Sequence, residues 1–199
     1  MTILAVDSST NILDCAILRD GAVVSDGWSD DERTHSERVM PMVSRIFREA
    51  DMTPRDIDVF VATTGPGSYT GVRIGVATVL GLAYGAGKRA MGVSTLELMA
   101  KAQARRNSLK NGIILPIIDA RRGAVFTSAY RLGNINGDSE KLTEIEAPRR
   151  IDLEEWRIRL SESYPTEPLQ WAEPSSQKWA GLNERDLREI KLIYLGGSV

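Results

Sequence analysis

Residues 2–28 read TILAVDSSTNILDCAILRDGAVVSDGW, and this stretch decides the fold. Two apolar runs, 2–7 and 12–18, are separated by a polar cluster, as expected of two strands joined by a turn. The Asp20-Gly21 pair favours a tight hairpin that leads into a third strand. A doubly wound α/β chain normally places a helix after its first strand, so three consecutive strands predict a different mixed α/β architecture.

Helices and strands alternate in the rest of the first hundred residues. A capping box of Thr34 and Glu37 precedes apolar residues at helical spacing, which predicts a helix that Pro41 kinks or delays. Ser94 with Glu97 forms a second capping box before another helix. The predicted strands cover 57–63 and 89–93, and the predicted helices begin near residues 34, 71 and 94.

The three-strand pattern restarts near residue 113. Residues 113–119 form an apolar run that ends in Asp119, just as the first strand ends in Asp7. The sequence therefore predicts a duplicated α/β architecture, with a first domain over 1–104 and a second over 105–199. The second copy continues with strands over 124–132 and 142–146, a loop over 134–138, a helix from Asp152 to about 161, a helical turn over 175–180, and short strand candidates over 169–172 and 192–195.

The composition of the chain excludes several classes of protein. Of its 199 residues, 42% are apolar and 26% are charged, which is typical of a globular protein. No apolar run is long enough to span a bilayer, and no signal peptide is evident. The single Cys15 excludes an internal disulfide framework and predicts a reducing, cytoplasmic compartment. One histidine argues against a zinc cluster, and a net charge of −2 argues against a stand-alone nucleic-acid binder.

The segment GPGSYTGVRIG, residues 65–75, lies after a predicted strand and before a predicted helix. Backbone N–H groups at such a helix start can receive an anion, although the spacing matches neither the P-loop nor the dinucleotide fingerprint. Two interpretations stay open: a structural turn, or a degenerate nucleotide loop. The second would use Asp7, Gly65, Gly67, Ser68 and Thr70. Asp7 itself could hold a magnesium-bound water or could form a turn with the serines that follow it.

The helix that follows this loop is rich in small residues. Interior glycines cost about 1 kcal/mol each relative to alanine, so a close approach of another backbone is expected to compensate. That backbone could belong to the same domain or to another subunit.

Elsewhere, His35 could be a base but is more typical of a cap, and Cys15 in an apolar strand favours a buried thiol over a nucleophile. A basic patch near Arg121 and Arg122 lacks interleaved aromatic residues, which favours a solvated face.

Five segments resemble the TsaB (YeaZ) family in order and spacing across about residues 1–130. They are ILAVDSST (3–10), HSERVMPMV (35–43), GPGSYTGVRIG (65–75), GVSTLELMA (92–100) and IDARRGAVF (118–126). The resemblance implies a duplicated actin-like ATPase fold (ASKHA, ribonuclease H-like), here with a reduced second half. It also implies a role in forming threonylcarbamoyladenosine beside the anticodon of tRNA.

The resemblance further implies that this chain is a scaffold subunit without catalytic residues of its own. A TsaD-like paralogue would be the transferase and a TsaE-like ATPase would join the complex, so ATP and metal are expected on those partners. No cofactor or metal is expected on this chain, which has one histidine where the transferase uses a pair. Contact with tRNA would be indirect, and the isolated chain is expected to form a homodimer.

The partner surface that the resemblance implies lies on two helices of the first domain. Its predicted residues are His35, Val39, Met42, Val43, Ile46, Gly71, Ile74, Gly75, Thr78, Gly81, Leu82 and Gly85. The alternative is a nucleotide-binding phosphotransferase or ATPase of the same fold that acts on its own, with Asp7, the glycine loop and Asp119 in its site. A peptidase is disfavoured because the sequence offers no plausible nucleophile and base pair.

Overall fold

The computed structural model describes residues 1–30, 35–135, 138–175, 178–179 and 193–196. The strands are β1 (Thr2–Asp7), β2 (Leu13–Arg19), β3 (Ala22–Ser29), β4 (Val59–Thr63), β5 (Arg89–Val93), β6 (Gly112–Asp119), β7 (Ala124–Ile135), β8 (Asp138–Asp152), β9 (Leu169–Ala172) and β10 (Ile193–Gly196). The helices are α1 (His35–Glu49), α2 (Tyr69–Ala86), α3 (Thr95–Arg106) and α4 (Leu153–Ser163), with a 3-10 turn at Pro54–Asp56. None of the helices within these ranges is long and apolar enough to cross a membrane.

Within the described residues the strands form two mixed sheets. The first has six strands in the order β10-β5-β4-β1-β2-β3, and the second has four in the order β8-β7-β6-β9. In the first sheet β1 pairs antiparallel with β2 and parallel with β4. In the second, β6 pairs antiparallel with β7 and parallel with β9.

The two sheets confirm the predicted duplication. In each half, three consecutive antiparallel strands are followed by a helix and by a fourth strand parallel to the first, which gives β1-β2-β3-α1-β4 and β6-β7-β8-α4-β9. The first meander turns tightly at Asp20 and Gly21, whose φ angles are 52° and 81°. Because both central residues have positive φ, the Asp-Gly pair can make the turn that matches strand twist.

Side-chain caps begin three of the helices. Ser68 Oγ accepts a hydrogen bond from Gly71 N in α2, and Ser94 Oγ accepts one from Glu97 N in α3. Asp152 caps α4 through the backbone N–H groups of its first turn. The caps at 94 and 152 confirm the sequence prediction, whereas the expected cap at Thr34 lies outside the described residues. Pro41 is accommodated inside α1.

Helix α3 lies between the two sheets. Its Leu98 packs with Ile3 and Ala5 on one face of the first sheet, while its Leu96 and Met99 join the core of the second sheet. The opposite face of the first sheet is covered by α1 and α2, and that of the second by α4. The two halves therefore share α3 as a common wall, and the ends of β1 and β6 lie at one cleft.

Strands β7 and β8 are longer than the sequence predicts. The expected loop over 134–138 is partly strand, since β7 runs to Ile135 and β8 begins at Asp138, with residues 136–137 outside the described ranges. β8 is an edge strand with many charged side chains, so its apolar alternation is weak. Backbone pairing with β7 extends it where side-chain pattern does not. Half of the predicted turn over 175–180, namely residues 176, 177 and 180, lies outside the described residues.

Candidate functional site

A cleft of about 1330 Å³ opens where β1 and β6 end. Its walls come from equivalent places in the two halves, the hairpin after β1 and the hairpin after β6, together with the start of α2. The residues that line it include Ser9, Thr10, Asn11, Asp30, His35, Gly67, Ser68, Tyr69, Thr70, Asp119, Arg121 and Gly123. Three residues of the predicted nucleotide loop, Gly67, Ser68 and Thr70, therefore line the cleft, whereas Asp7 and Gly65 are not among its lining residues.

Asp7 is fully buried beneath the first hairpin. Its Oδ1 accepts hydrogen bonds from Ser9 N at 2.9 Å, Ser9 Oγ at 2.6 Å and Thr63 Oγ1 at 2.8 Å. Thr95 Oγ1 donates in turn to Ser9 Oγ at 3.0 Å. Asp7 thus ties the hairpin to β4 through Thr63, and Ser9 ties it to the start of α3 through Thr95. The Oδ1 atom of Asp7 already accepts three hydrogen bonds from the chain itself.

Lys178 supplies the charge that balances Asp7. Its Nζ lies 2.7 Å from Asp7 Oδ2, and both side chains are fully buried. The same ammonium donates to Thr10 Oγ1 at 3.4 Å, and the backbone N–H of Lys178 donates to Asp14 Oδ2 at 2.6 Å. Sequence patterns do not reveal Lys178, because a lysine in a weakly patterned segment carries no local signal for its contact with Asp14, 164 positions away.

The buried charges shift one another's pKa. Burial alone acts to raise the pKa of the Asp7 carboxyl, but the Lys178 ammonium and the hydrogen bonds from Ser9 outweigh it, and this pKa lies below its ordinary value. Burial raises the pKa of Asp14, the Cα partner of Asp7 on β2, to about 7, with Lys178 offsetting only part of the effect and Asp7 adding repulsion. Burial also raises the pKa of the Cys15 thiol, and its full burial matches the sequence interpretation.

The glycine-rich segment packs tightly against the first hairpin. Ser68 N donates to Ser9 O at 2.7 Å, and Ser8 Oγ donates to Gly71 O at 2.8 Å. A Cβ atom at Gly67 or Gly71 would overlap the carbonyl oxygens of Ser9 and Ser8, respectively. These glycines therefore allow close backbone approach within the same domain.

The second hairpin is built differently. Asp119 is exposed, and its Oδ1 accepts from Arg121 N at 2.7 Å. Arg121 and Arg122 have φ of 64° and 60°. The Arg150 guanidinium donates to the carbonyl oxygens of Ala120 and Arg121 at 3.3 Å. No group of three or more His, Cys, Asp or Glu side chains that could hold a metal occurs within the described ranges.

Comparison with known proteins identifies the family. Residues 29–154 match the family model "TsaD: tRNA N6-adenosine threonylcarbamoyltransferase". The tRNA threonylcarbamoyladenosine biosynthesis protein TsaB of Bacillus subtilis is 38% identical over 162 residues, which are 81% of this chain and 67% of that protein. Its Escherichia coli K12 counterpart is 36% identical over 191 residues, 94% of this chain and 79% of that protein. The chain belongs to the TsaB (YeaZ) family.

Solved structures agree with this assignment. YeaZ from Pseudomonas aeruginosa superposes with a TM-score of 0.66 at 28% identity, covering 76% of this chain and 67% of that chain. A second structure, described as similar to peptidase YeaZ from Pseudomonas aeruginosa, has a TM-score of 0.72 at 24% identity and supports the fold. The predicted family and its duplicated α/β fold class are therefore confirmed.

The residues predicted to form the partner surface of this TsaB family member differ in burial. Val39, Val43 and Ile46 of α1 are at most 2% exposed and lie in the core against the first sheet, so the domain itself already covers these three side chains, and their part in a partner surface stays a prediction. Helical periodicity marks an apolar face, and here the domain itself covers that face. Gly71 and Gly75 are likewise buried, with Ser8 Oγ only 2.6 Å from a Cβ built on Gly75.

The other predicted interface residues lie nearer the surface. Gly81 and Gly85 are exposed, and no atom of the described chain lies within 4 Å of a Cβ built on either. Partly buried positions complete the set: Met42, Ile74, Thr78 and Leu82. His35 is 4% exposed at the cleft, and its buried Nε2 has no hydrogen-bond partner in the described part of the chain.

The basic residues Arg149 and Arg150, near the second hairpin, contact other groups of the chain. Arg149 lies over the Trp156 ring at 5.3 Å and pairs with Glu146 at 2.7 Å. Arg150 holds the hairpin backbone. These contacts agree with the interpretation of the basic positions as surface structure rather than a base-stacking patch.

Proposed function

We propose that this chain is a non-catalytic partner subunit in the formation of threonylcarbamoyladenosine in tRNA. In this role it binds a TsaD-like transferase and a TsaE-like ATPase, which hold the metal and ATP. Its relatives in Bacillus subtilis and Escherichia coli carry names from that pathway, and its own residues match the TsaD family model over 29–154. Contact with tRNA would be made through the complex, and the isolated chain would pair with a second copy.

The observation that carries this proposal is the exposed side of α2. Gly81 and Gly85 are four positions apart, which places them on one side of the helix, and a Cβ on either would enter open space among the described residues. Each costs about 1 kcal/mol relative to alanine in a helix interior. Tyr69 and Tyr84, 75% and 84% exposed, lie at the two ends of the helix.

Close packing by another backbone explains this combination. Small residues let two helices approach until their backbones are in van der Waals contact, and exposed tyrosines are enriched at protein interfaces. The glycines at 71 and 75 already have a reason within the domain, whereas those at 81 and 85 do not. The partner surface is thus the part of α2 around Gly81 and Gly85, and Met40 on the neighbouring helix α1 is also 44% exposed.

The test is a co-elution experiment with the TsaD-like protein from the same organism. The wild-type chain is expected to form a complex, measured by size-exclusion chromatography with light scattering. Gly81→Leu should weaken the complex at least about tenfold by steric clash, while its thermal midpoint stays close to wild type because leucine favours helix. Ser161→Leu on α4 introduces the same side chain on an exposed helix position elsewhere and should leave affinity unchanged.

Two results would reject the proposal. One is the lack of any complex, with or without nucleotide and the TsaE-like ATPase. The other is equal loss of affinity in both leucine variants, which would mean that α2 is not the docking surface.

An alternative function is supported by the cleft. A cavity of about 1330 Å³ at the ends of β1 and β6, lined by Ser68 and Thr70 at the start of α2, suits a nucleotide-binding phosphotransferase or ATPase that acts alone. Isothermal titration calorimetry with magnesium and ATP decides between the two functions, because the alternative requires binding by the isolated chain.

A further inference from the structure

The Lys178 side chain occupies the position beside Asp7 that a bound cation would take. Lys178 Nζ lies 2.7 Å from Asp7 Oδ2 and 3.4 Å from Thr10 Oγ1, so oxygen atoms from two residues face one positive charge. Asp14, on the neighbouring strand, accepts the Lys178 backbone N–H at 2.6 Å. All of this lies at the carboxyl end of β1, with Lys178, Asp7 and Asp14 at zero exposure.

A magnesium–nucleotide complex, which the fold family implies, does not fit the groups at this point. Asp7 Oδ1 already accepts three hydrogen bonds from Ser9 and Thr63, and Oδ2 faces the ammonium. Ser9 N, a hairpin N–H of the kind that can bind a phosphate, donates to Asp7 instead. Ser8 and Ser9 are fully buried against the start of α2, so the chain itself covers the hairpin at these two positions.

The anchoring of Lys178 is independent of its charge contact. Trp179, the next residue, is 1% exposed and packs with Ile3, Ala16 and Leu98 on the first sheet. The chain has therefore left β9 of the second sheet and returned to the first sheet at this point. The hydrophobic contact and the backbone hydrogen bond to Asp14 hold the lysine stem in place, so its ammonium is pre-positioned at Asp7.

We propose that Lys178 is a built-in counter-ion that permanently fills the cation position at Asp7 and closes that end of the cleft to a metal–nucleotide complex. Its second consequence is mechanical, since the same ion pair fastens residues 178–179 onto the first sheet. A buried carboxylate without a counter-charge is strongly unfavourable. Removal of the ammonium should therefore open a position that a small external cation can fill.

The test uses chemical rescue in the full chain. Lys178→Ala should lower the thermal midpoint by about 10 °C, as expected when one member of a buried ion pair is removed from a chain of this size. Ethylammonium chloride should raise the Lys178→Ala midpoint by at least about 3 °C more than sodium chloride at equal ionic strength. The matched control, Lys178→Ala with Asp7→Asn, lacks the carboxylate and should show no such difference.

The wild-type chain provides the second measurement, which does not depend on a folded variant. Lys178 should be acetylated by an amine reagent at least about 100-fold more slowly than the exposed Lys141, followed by peptide mass spectrometry. Comparable rates would overturn the proposal, as would equal effects of ethylammonium in the variant with Asp7 and the variant without it. A magnesium–ATP shift of the wild-type midpoint that Asp7→Asn abolishes would also overturn it.

Discussion

The two hairpins of the duplicated unit have the same topology but opposite environments. Asp7 and Asp119 each end the first strand of a half, yet Asp7 is fully buried and Asp119 is exposed. Opposite Asp7 across the hairpin is Asp14, whereas opposite Asp119 is Val125. The Lys178 ammonium pairs with Asp7, which ends the first strand of the first half. A carboxylate at the same topological position can thus be a buried structural centre in one half and a surface group in the other.

The covering elements explain the difference. Helix α2 and its glycine-rich start lie against the first hairpin through Ser8 and Ser9, which removes water from Asp7. At the second hairpin, backbone carbonyl oxygens accept hydrogen bonds from the Arg150 guanidinium and from Leu153 N, but the Asp119 side chain stays exposed. Burial, rather than the identity of the acid, therefore decides what each carboxylate does.

The largest expected effect separates the two acids directly. Asp7→Ala leaves the Lys178 ammonium buried without its counter-charge, so we expect a loss of about 3–5 kcal/mol in the free energy of unfolding. Asp119→Ala removes one exposed hydrogen bond to Arg121 N and should cost less than about 1 kcal/mol. Urea unfolding followed by circular dichroism measures both, and equal losses would contradict the comparison.

The next effect tests the packing over the first hairpin. Gly71→Ala places a methyl group against the Ser8 carbonyl oxygen, and overpacking of this kind should cost about 1–3 kcal/mol. Gly81→Ala enters open space on the same helix and should stabilise the isolated chain by up to about 1 kcal/mol. Opposite signs in urea unfolding are the expected result, and a destabilised Gly81→Ala would show that this side of α2 is already covered.

The pH dependence of stability sharpens the comparison further. The pKa of Asp14 is raised from 3.8 to about 7 in the folded chain, so the folded state binds this proton more tightly than the unfolded state does. The contribution of Asp14 to stability is therefore full below about pH 4 and is lost as the pH rises towards 7. Burial raises this pKa most, the Lys178 ammonium offsets part of the rise, and repulsion from Asp7 and Asp26 adds to it.

Asp14→Asn should remove that part of the pH dependence, about 3 kcal/mol between pH 4.5 and 7.5. Asp7 acts in the opposite direction, because its pKa is lowered in the folded chain. Its contribution to the free energy of unfolding is present above the ordinary pKa of an aspartate and is lost as the pH falls below that value. Urea midpoints at several pH values test this expectation, and an unchanged slope in the variant would refute it.

The smallest effect concerns the second hairpin. Arg150→Ala removes two exposed hydrogen bonds to the hairpin carbonyl oxygens, and we expect a loss below about 1 kcal/mol. Arg157→Ala, which removes an exposed pair with Glu154 and a contact over the Trp171 ring, is a matched control with an expected loss of the same size, below about 1 kcal/mol. A large loss in Arg150→Ala would show that this hairpin is held as firmly as the first one.

Local sequence patterns predicted much of the fold correctly. The apolar runs at 2–7 and 12–18 and the Asp20-Gly21 turn define β1 to β3. The caps at Ser94 and Asp152 begin their helices as expected. These features depend on neighbours within about four residues, which periodicity and turn chemistry describe. Edge strand β8 was underestimated because backbone pairing, rather than side-chain pattern, sustains it.

The candidate site was predicted less completely. The sequence placed Gly67, Ser68 and Thr70 in one loop, and these residues do line the cleft. It assigned buried positions such as Val43 to a partner surface, because an apolar helical stripe has the same pattern whether its own domain or another subunit covers it. Gly75 and Gly81 likewise looked equivalent until the structure placed Ser8 against only one of them.

The sequence by itself determined most of the succession of strands and helices along the chain, the duplication of that pattern, and the membership of the TsaB family. Hydrophobic alternation, turn residues and family motifs are all properties of neighbouring positions. Only the tertiary structure decided that Lys178 neutralises Asp7, and that Asp7 and Asp119 differ in burial. A contact between distant residues depends on how whole layers pack, and the energy of a charge depends on the water that this packing removes.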